Sequence, residues 1–256
     1  MTVEFALALG VLALVAGVGI SALGSGGVLV TVALFAFTPL SVAAVAGTAS
    51  ATFAAAGLLS AAVYRRSGEF EYANARETAA LLSATGVAGA LAGSATNLRV
   101  LPDRAFGGLL AAFVAGLGVL IVYRELAGLD PTGWIDRASP RMRRALVGLV
   151  GIGIGVLAGL LGVGGPILAV PVLVVLGVPV LAAVAIAQTQ AVFVSGIAAA
   201  SYLAADAVSV PLALLVGVPQ LLGVVLGWRI AHLIEPRRLR IALGATLVAI
   251  APAIAL

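Results

Sequence analysis

Ten apolar runs, each bounded by charge, Gly or Pro, divide this chain at 4–21, 28–38, 40–63, 77–98, 103–123, 145–162, 166–177, 179–204, 208–231 and 239–256. A spanning helix needs about 20 apolar residues, and most of these runs have that length. Every Asp, Glu and Arg, and the single His232, lies in a link or near a run end. Hydrophobic residues make up 62% of the chain and charged residues 9%, against about 45–50% and about 25% in a soluble domain. That leaves too little polar surface to cover a water-facing globule. The expected fold class is an all-α membrane protein.

Ten crossings with short links consume all 256 residues, so no large extramembrane catalytic domain is expected. The chain has no Cys and one His, which excludes disulfide frameworks, thiolate chemistry, iron–sulfur clusters and Cys/His zinc sites. No metal site, cofactor or enzymatic activity is expected. All 14 basic residues are arginine; they sit in the links without interleaved aromatics and read as topology signals, not as a nucleic-acid surface. Glu4 stands where a signal peptide would carry basic residues, so no removable leader is expected.

Two of the runs are short. Residues 28–38 and 166–177 hold 11 and 12 residues, which as helix reach about 17–18 Å against a hydrocarbon core of about 30 Å. They occupy matching places in an internal repeat. Gly24–Gly27 (GSGG) matches Gly162–Gly165 (GVGG) at an offset of 138, as Tyr64 matches Tyr202. Pro39 matches Pro179 and Phe53 matches Phe193 at 140. Gly89, Gly93 and Pro102 match Gly223, Gly227 and Pro236 at 134. The expected division is a first transmembrane repeat, 1–123, a polar cytoplasmic link, 124–144, and a second repeat, 145–256.

Arginine placement orients the halves. If all ten runs cross, twelve arginines share one side and only Arg99 and Arg104 face the other; if the short runs are re-entrant the split is eight against six. The positive-inside rule favours the first arrangement. Both termini then lie outside, and five crossings per half give the repeats opposite orientation. Inverted repeats with short, Gly/Pro-interrupted helices in corresponding positions characterise secondary transporters whose substrate sits at the repeat interface.

Candidate binding residues follow from that geometry. Ser25, Gly26 and Gly27 precede one short run, and Gly164 and Gly165 the other, whose first residue is Pro166. A helix N-terminus inside the membrane presents free N–H groups and a partial positive charge, which suit an anion; close packing by the glycines is the alternative. Thr48, Ser50 and Thr52 of GTASATF, and Gln188, Thr189 and Gln190 of AQTQAVF, offer hydroxyls and amides that can replace an anion's hydration shell. Interhelical hydrogen bonding is the alternative for these. On an unbroken helix Gln188 and Gln190 point to nearly opposite sides. Gln220 is a further polar residue within a run, whereas Gly151, Gly155 and Gly159 and the pairs Gly89/Gly93 and Gly223/Gly227 read as packing surfaces.

The segments SALGSGGVLVTVALF and VAGTASATF, with LLGVGGPILAVPVLVVLGVP and IAQTQAVF, resemble the TauE/SafE family of bacterial and archaeal membrane proteins over nearly the whole chain. Val28 and Pro166 stand where that family often has a further Gly. The resemblance implies export of a small anion such as sulfite or an organosulfonate across the inner membrane of a prokaryote. The expected partners are that small anionic substrate and the lipid bilayer, with a coupling ion, sodium or proton, undetermined and homo-oligomerisation left open. No ionisable group sits at membrane depth to relay protons. An uncoupled anion channel, or a membrane assembly partner without transport activity, are the alternatives.

Overall fold

A computed structural model describes residues 3–24, 26–66, 74–127 and 139–231, with scattered positions between 241 and 252. The run 239–256, most of the central link, His232 and Ser25 lie wholly or largely outside the described residues. The described residues form nine helices and no strand: α1 (Val3–Leu23), α2 (Val28–Phe37), α3 (Val42–Arg66), α4 (Ala75–Val100), α5 (Asp103–Ala127), α6 (Pro140–Leu161), α7 (Pro166–Val175), α8 (Val180–Leu203) and α9 (Val210–Ala231). Six of them, α1, α3, α4, α6, α8 and α9, are long and apolar enough to cross a bilayer. The helix α6 starts five residues before the apolar run, because Ser139 accepts a hydrogen bond from the Met142 N–H at 3.3 Å and Pro140 opens the helix.

Burial separates a lipid face from a core. Val3, Leu7, Val11 and Val15 are exposed along one stripe of α1, and Val210, Leu214, Val218 and Leu222 along one of α9. Such i, i+4 apolar stripes facing outward fit hydrocarbon as the solvent. Inside, α3 and α8 pack on each other at the centre, α4 lies against α6 and α1 against α9. Each outer pair closes on glycine. A methyl at Gly89 would lie 2.2 Å from the Ile152 carbonyl oxygen, and one at Gly223 would lie 2.1 Å from that of Leu14. The backbones approach too closely for any side chain there.

Contacts set the helix directions. Glu77 at the start of α4 accepts from Arg143 Nη2 at 2.9 Å and Arg144 Nε at 2.7 Å at the start of α6. At the far ends Asn97 Nδ2 donates to the Leu160 carbonyl at 2.7 Å, so α4 and α6 run parallel. In α3 and α8 the order is reversed: Gly57 meets Ala191 and the Gln188 carbonyl, whereas Gly47 meets Tyr202 and the Ala207 carbonyl. These two central helices are antiparallel. The Tyr64 hydroxyl, late in α3, donates to the Ser21 carbonyl, late in α1, at 2.7 Å, and the Tyr202 hydroxyl of α8 donates to the Gly159 carbonyl of α6 at 2.7 Å. The chain therefore doubles back through each short helix between two parallel long ones. Beside this framework α5 packs on α2, with the Phe106 and Phe35 rings 5.3 Å apart.

Phe53 is buried while Phe193 is 53% exposed, so the two matched aromatics lie in different surroundings.

Candidate functional site

The helices α1 and α6 end on glycines in the left-handed conformation, Gly24 (φ 75°) and Gly162 (φ 62°), and Gly164 repeats it (φ 78°). The Gly24 and Gly162 N–H groups bond the carbonyls four residues back, Ile20 and Ala158, at 2.9 Å. Residues with a Cβ avoid this backbone, so the helices stop here and α2 and α7 start within a few residues. The N-termini of α2 and α7 are thereby held inside the bundle. The first N–H groups bonded within them are those of Leu29 to Gly26 and Leu168 to Gly165; the preceding N–H groups lack an intrahelical acceptor.

The two turns lie side by side. A methyl at Gly24 would strike the Val170 side chain of α7 and come within 3.6 Å of the Pro166 carbonyl. The Thr31 hydroxyl of α2 donates to the Gly162 carbonyl, joining one short helix to the other's turn. Between the turns is a cavity of about 10 Å³ lined by Gly24, Gly27, Phe53, Gly164, Pro166 and Gln188 among others. That is about the least that holds one water. The Phe53 ring fills most of the gap, touching the Gly27 and Gly164 positions at 2.8 and 3.3 Å from where a Cβ would stand. Its place between the turns is a signal that an aromatic in a repeat motif did not reveal by itself.

The candidate residues differ in their contacts. Gln188 is fully buried and lines the cavity; its Nε2 donates to the Ile20 carbonyl at 2.9 Å, and its Oε1 has no partner. Gln190 is also fully buried, neither amide atom has a partner, and its Oε1 lies 3.0 Å from the Cβ position of Gly165, at the N-terminus of α7. The helix α8 is unbroken through these residues. The two amides accordingly part, and they flank the same turn from different sides.

Others make contacts with a neighbouring helix or within their own. Thr48 accepts from the Ser209 N–H at 2.9 Å and anchors the start of α9. Thr52 donates to the Ala49 carbonyl of its own helix at 2.9 Å, and its methyl faces Gly217 of α9. Gly26 packs on Gly19 and the Ala16 carbonyl of α1. Thr189 lies elsewhere again: it donates to the Ala185 carbonyl at 2.9 Å and lines an open apolar groove beside Arg76, Ser83 and Phe193. Ser50 is buried in α3. Gln220 is fully buried in α9 with both amide atoms unpartnered.

Among the described residues every buried polar side chain is uncharged, and no group of His, Asp or Glu is placed to hold a metal ion. The arrangement supplies N–H dipoles, hydroxyls and amides without a fixed charge.

A family model described as Sulfite exporter TauE/SafE matches residues 9–254. No curated protein and no solved structure matches the chain. With its apolar helices and a match along nearly its whole length, the chain is a multi-pass membrane protein that belongs to the sulfite exporter TauE/SafE family of transporters.

Proposed function

We propose that this protein exports a small anion, sulfite or an organosulfonate, by alternating access between two inverted five-segment halves, 1–123 and 145–256. The observation that carries the proposal is the meeting of two half-length helix N-termini at one buried, charge-free cavity faced by the Gln188 amide. An anion in such a place is stabilised by oriented N–H groups instead of a counter-charge. Substrate would be bound by the turn residues Gly26, Gly27, Gly164 and Gly165, with Ser25, and by Gln188, Gln190 and Ser50. Thr48, Thr52 and Thr189 would support that site through the hydrogen bonds that set α3 and α8.

Inversion is supported by the helix directions: α3 and α8 correspond at an offset of 138 and run antiparallel. Equivalent contacts support two equivalent halves, since Tyr64 to Ser21 and Tyr202 to Gly159 span the same 43 residues. In this reading all ten runs cross, both termini lie outside, and the Glu77–Arg143–Arg144 cluster faces the cytoplasm of a prokaryotic cell.

A four-heavy-atom oxyanion needs more room than the closed cavity offers, so transport requires the turns or the Phe53 ring to move. The test is tracer efflux from proteoliposomes loaded in parallel with sulfite, sulfate, thiosulfate and a small sulfonate. Selective flux that is lost in Gln190→Ala is expected. Unitary currents would replace the carrier by a channel, and no flux from folded protein would overturn anion transport.

A further inference from the structure

We infer that the site, if it transports anions as proposed above, takes a singly charged anion that carries its own hydrogen-bond donor, and rejects dianions and donor-free anions. Two observations lead there. First, the cavity between the turns is lined by Ile20 of α1, Gly24 and Gly27 of the first turn, Phe53 of α3, Pro166 of α7, and Gln188 and Ala191 of α8. Among the described residues no titratable or charged side chain faces it from any of these helices, and every buried polar side chain of the bundle is uncharged. The cost of burying a charge rises with the square of that charge, so a dianion here carries about four times the desolvation cost of a monoanion. Two helix N-termini, each equivalent to about half a positive charge, match one negative charge and not two.

Second, among the described residues that line the cavity, the unpartnered side-chain polar atom is an acceptor, Gln188 Oε1. Gln188 Nε2 is 2.9 Å from the Ile20 carbonyl oxygen. Only the amide nitrogen can make that contact, which assigns the flip of this amide. Its Oε1 is consequently the atom left over, fully buried and without a donor. A buried acceptor is costly until something donates to it. N–H groups of the turns would take the anionic oxygens, and Gln188 Oε1 would take an O–H or N–H of the ligand. A singly protonated oxyanion or a hydroxyl- or amino-bearing sulfonate has both features. Sulfate has the wrong charge and a simple alkyl sulfonate has no donor.

The test uses wild-type protein in liposomes and tracer efflux of four probes: sulfite, sulfate, ethanesulfonate and 2-hydroxyethanesulfonate. Sulfite is followed at constant total concentration while pH is raised through its second ionisation. The 2-hydroxyethanesulfonate flux at each pH corrects for any effect on the protein, because that anion keeps one charge throughout. Expected is a corrected sulfite flux that tracks the singly protonated fraction, falling about tenfold per pH unit on the alkaline side. Sulfate and ethanesulfonate should each run at least about tenfold below 2-hydroxyethanesulfonate, the factor a lost hydrogen bond to a buried acceptor gives. Gln188→Met, which removes the acceptor at similar volume, should bring the two sulfonates to within about twofold of each other. A corrected sulfite flux that rises or stays level with pH, sulfate carried like sulfite, or ethanesulfonate carried like its hydroxyl analogue would overturn this inference while leaving anion transport intact. Absence of flux for all four probes would overturn the transport reading and this inference with it.

Discussion

Gln188 and Gln190 stand two residues apart on one helix, yet their energetics differ. The Gln188 amide hydrogen-bonds the Ile20 carbonyl, which also accepts from the Gly24 N–H. Losing the side-chain bond therefore leaves that carbonyl satisfied, and Gln188→Met is expected to lower stability by only about 1 kcal/mol. Gln190 has no partner for either amide atom. Its desolvation is uncompensated in the closed protein, so Gln190→Met is expected to hold or raise stability, by up to about 1–3 kcal/mol, while abolishing flux. Thermal unfolding in detergent beside proteoliposome efflux measures both. A Gln190→Met protein that loses stability but keeps full flux would remove this residue from the pathway. Phe53 makes a third case: with its ring between the turns, Phe53→Ala is expected to enlarge the cavity and relax selectivity among anions, read as a smaller ratio between the fastest and slowest of them.

At the scale of helices, close backbone contact decides where substitution is tolerated. Gly89 faces the Ile152 carbonyl at 2.2 Å from its Cβ position, whereas Gly153 on the neighbouring helix has nothing within 4 Å. Gly89→Ala must push α4 from α6 and is expected to cost about 1–3 kcal/mol. Gly153→Ala gains helix propensity and is expected to stabilise by up to about 1 kcal/mol. Tyr64 and Tyr202 each tie the end of a long helix to the end of its parallel neighbour. Tyr64→Phe and Tyr202→Phe should therefore cost about the same, near 1 kcal/mol each. Unequal losses, by more than about twofold, would argue that the two halves do not bear load alike.

For the whole molecule, the absence of cysteine makes the orientation directly measurable. Single cysteines placed at Arg65 and Arg141 are expected to react with an impermeant thiol reagent only from the cytoplasmic side, and one at Arg99 only from outside, following the charge bias of the links. Labelling of Arg99→Cys and Arg65→Cys from the same side would overturn the ten-crossing arrangement. The uncharged interior has a further consequence. With no Asp, Glu, Arg or His side chain buried among the described residues, a pH gradient should not drive uphill flux of a permanently charged sulfonate, which a dye-based or tracer assay in liposomes can follow.

The sequence by itself determined the membrane class and the positions of the long helices, because apolar runs of bilayer length have one stable backbone solution in lipid: helix, with all its hydrogen bonds internal. It also marked both glycine turns, since the left-handed ends of α1 and α6 require the residue type that stands there. The spacing of the matched tyrosines was legible too, and Tyr64 and Tyr202 each bond a carbonyl 43 residues back. Only the tertiary structure decided which polar residues share a site. Composition does not distinguish Thr48, which anchors the α9 N-terminus, from Gln188, which faces the cavity; the distinction lies in which neighbour lies 2.9 Å away. Phe53 and Phe193 are the same residue in similar motifs, and one closes the gap between the turns while the other faces outward. A one-dimensional pattern records spacing along a helix, whereas a partner across the bundle is set by how the helices cross.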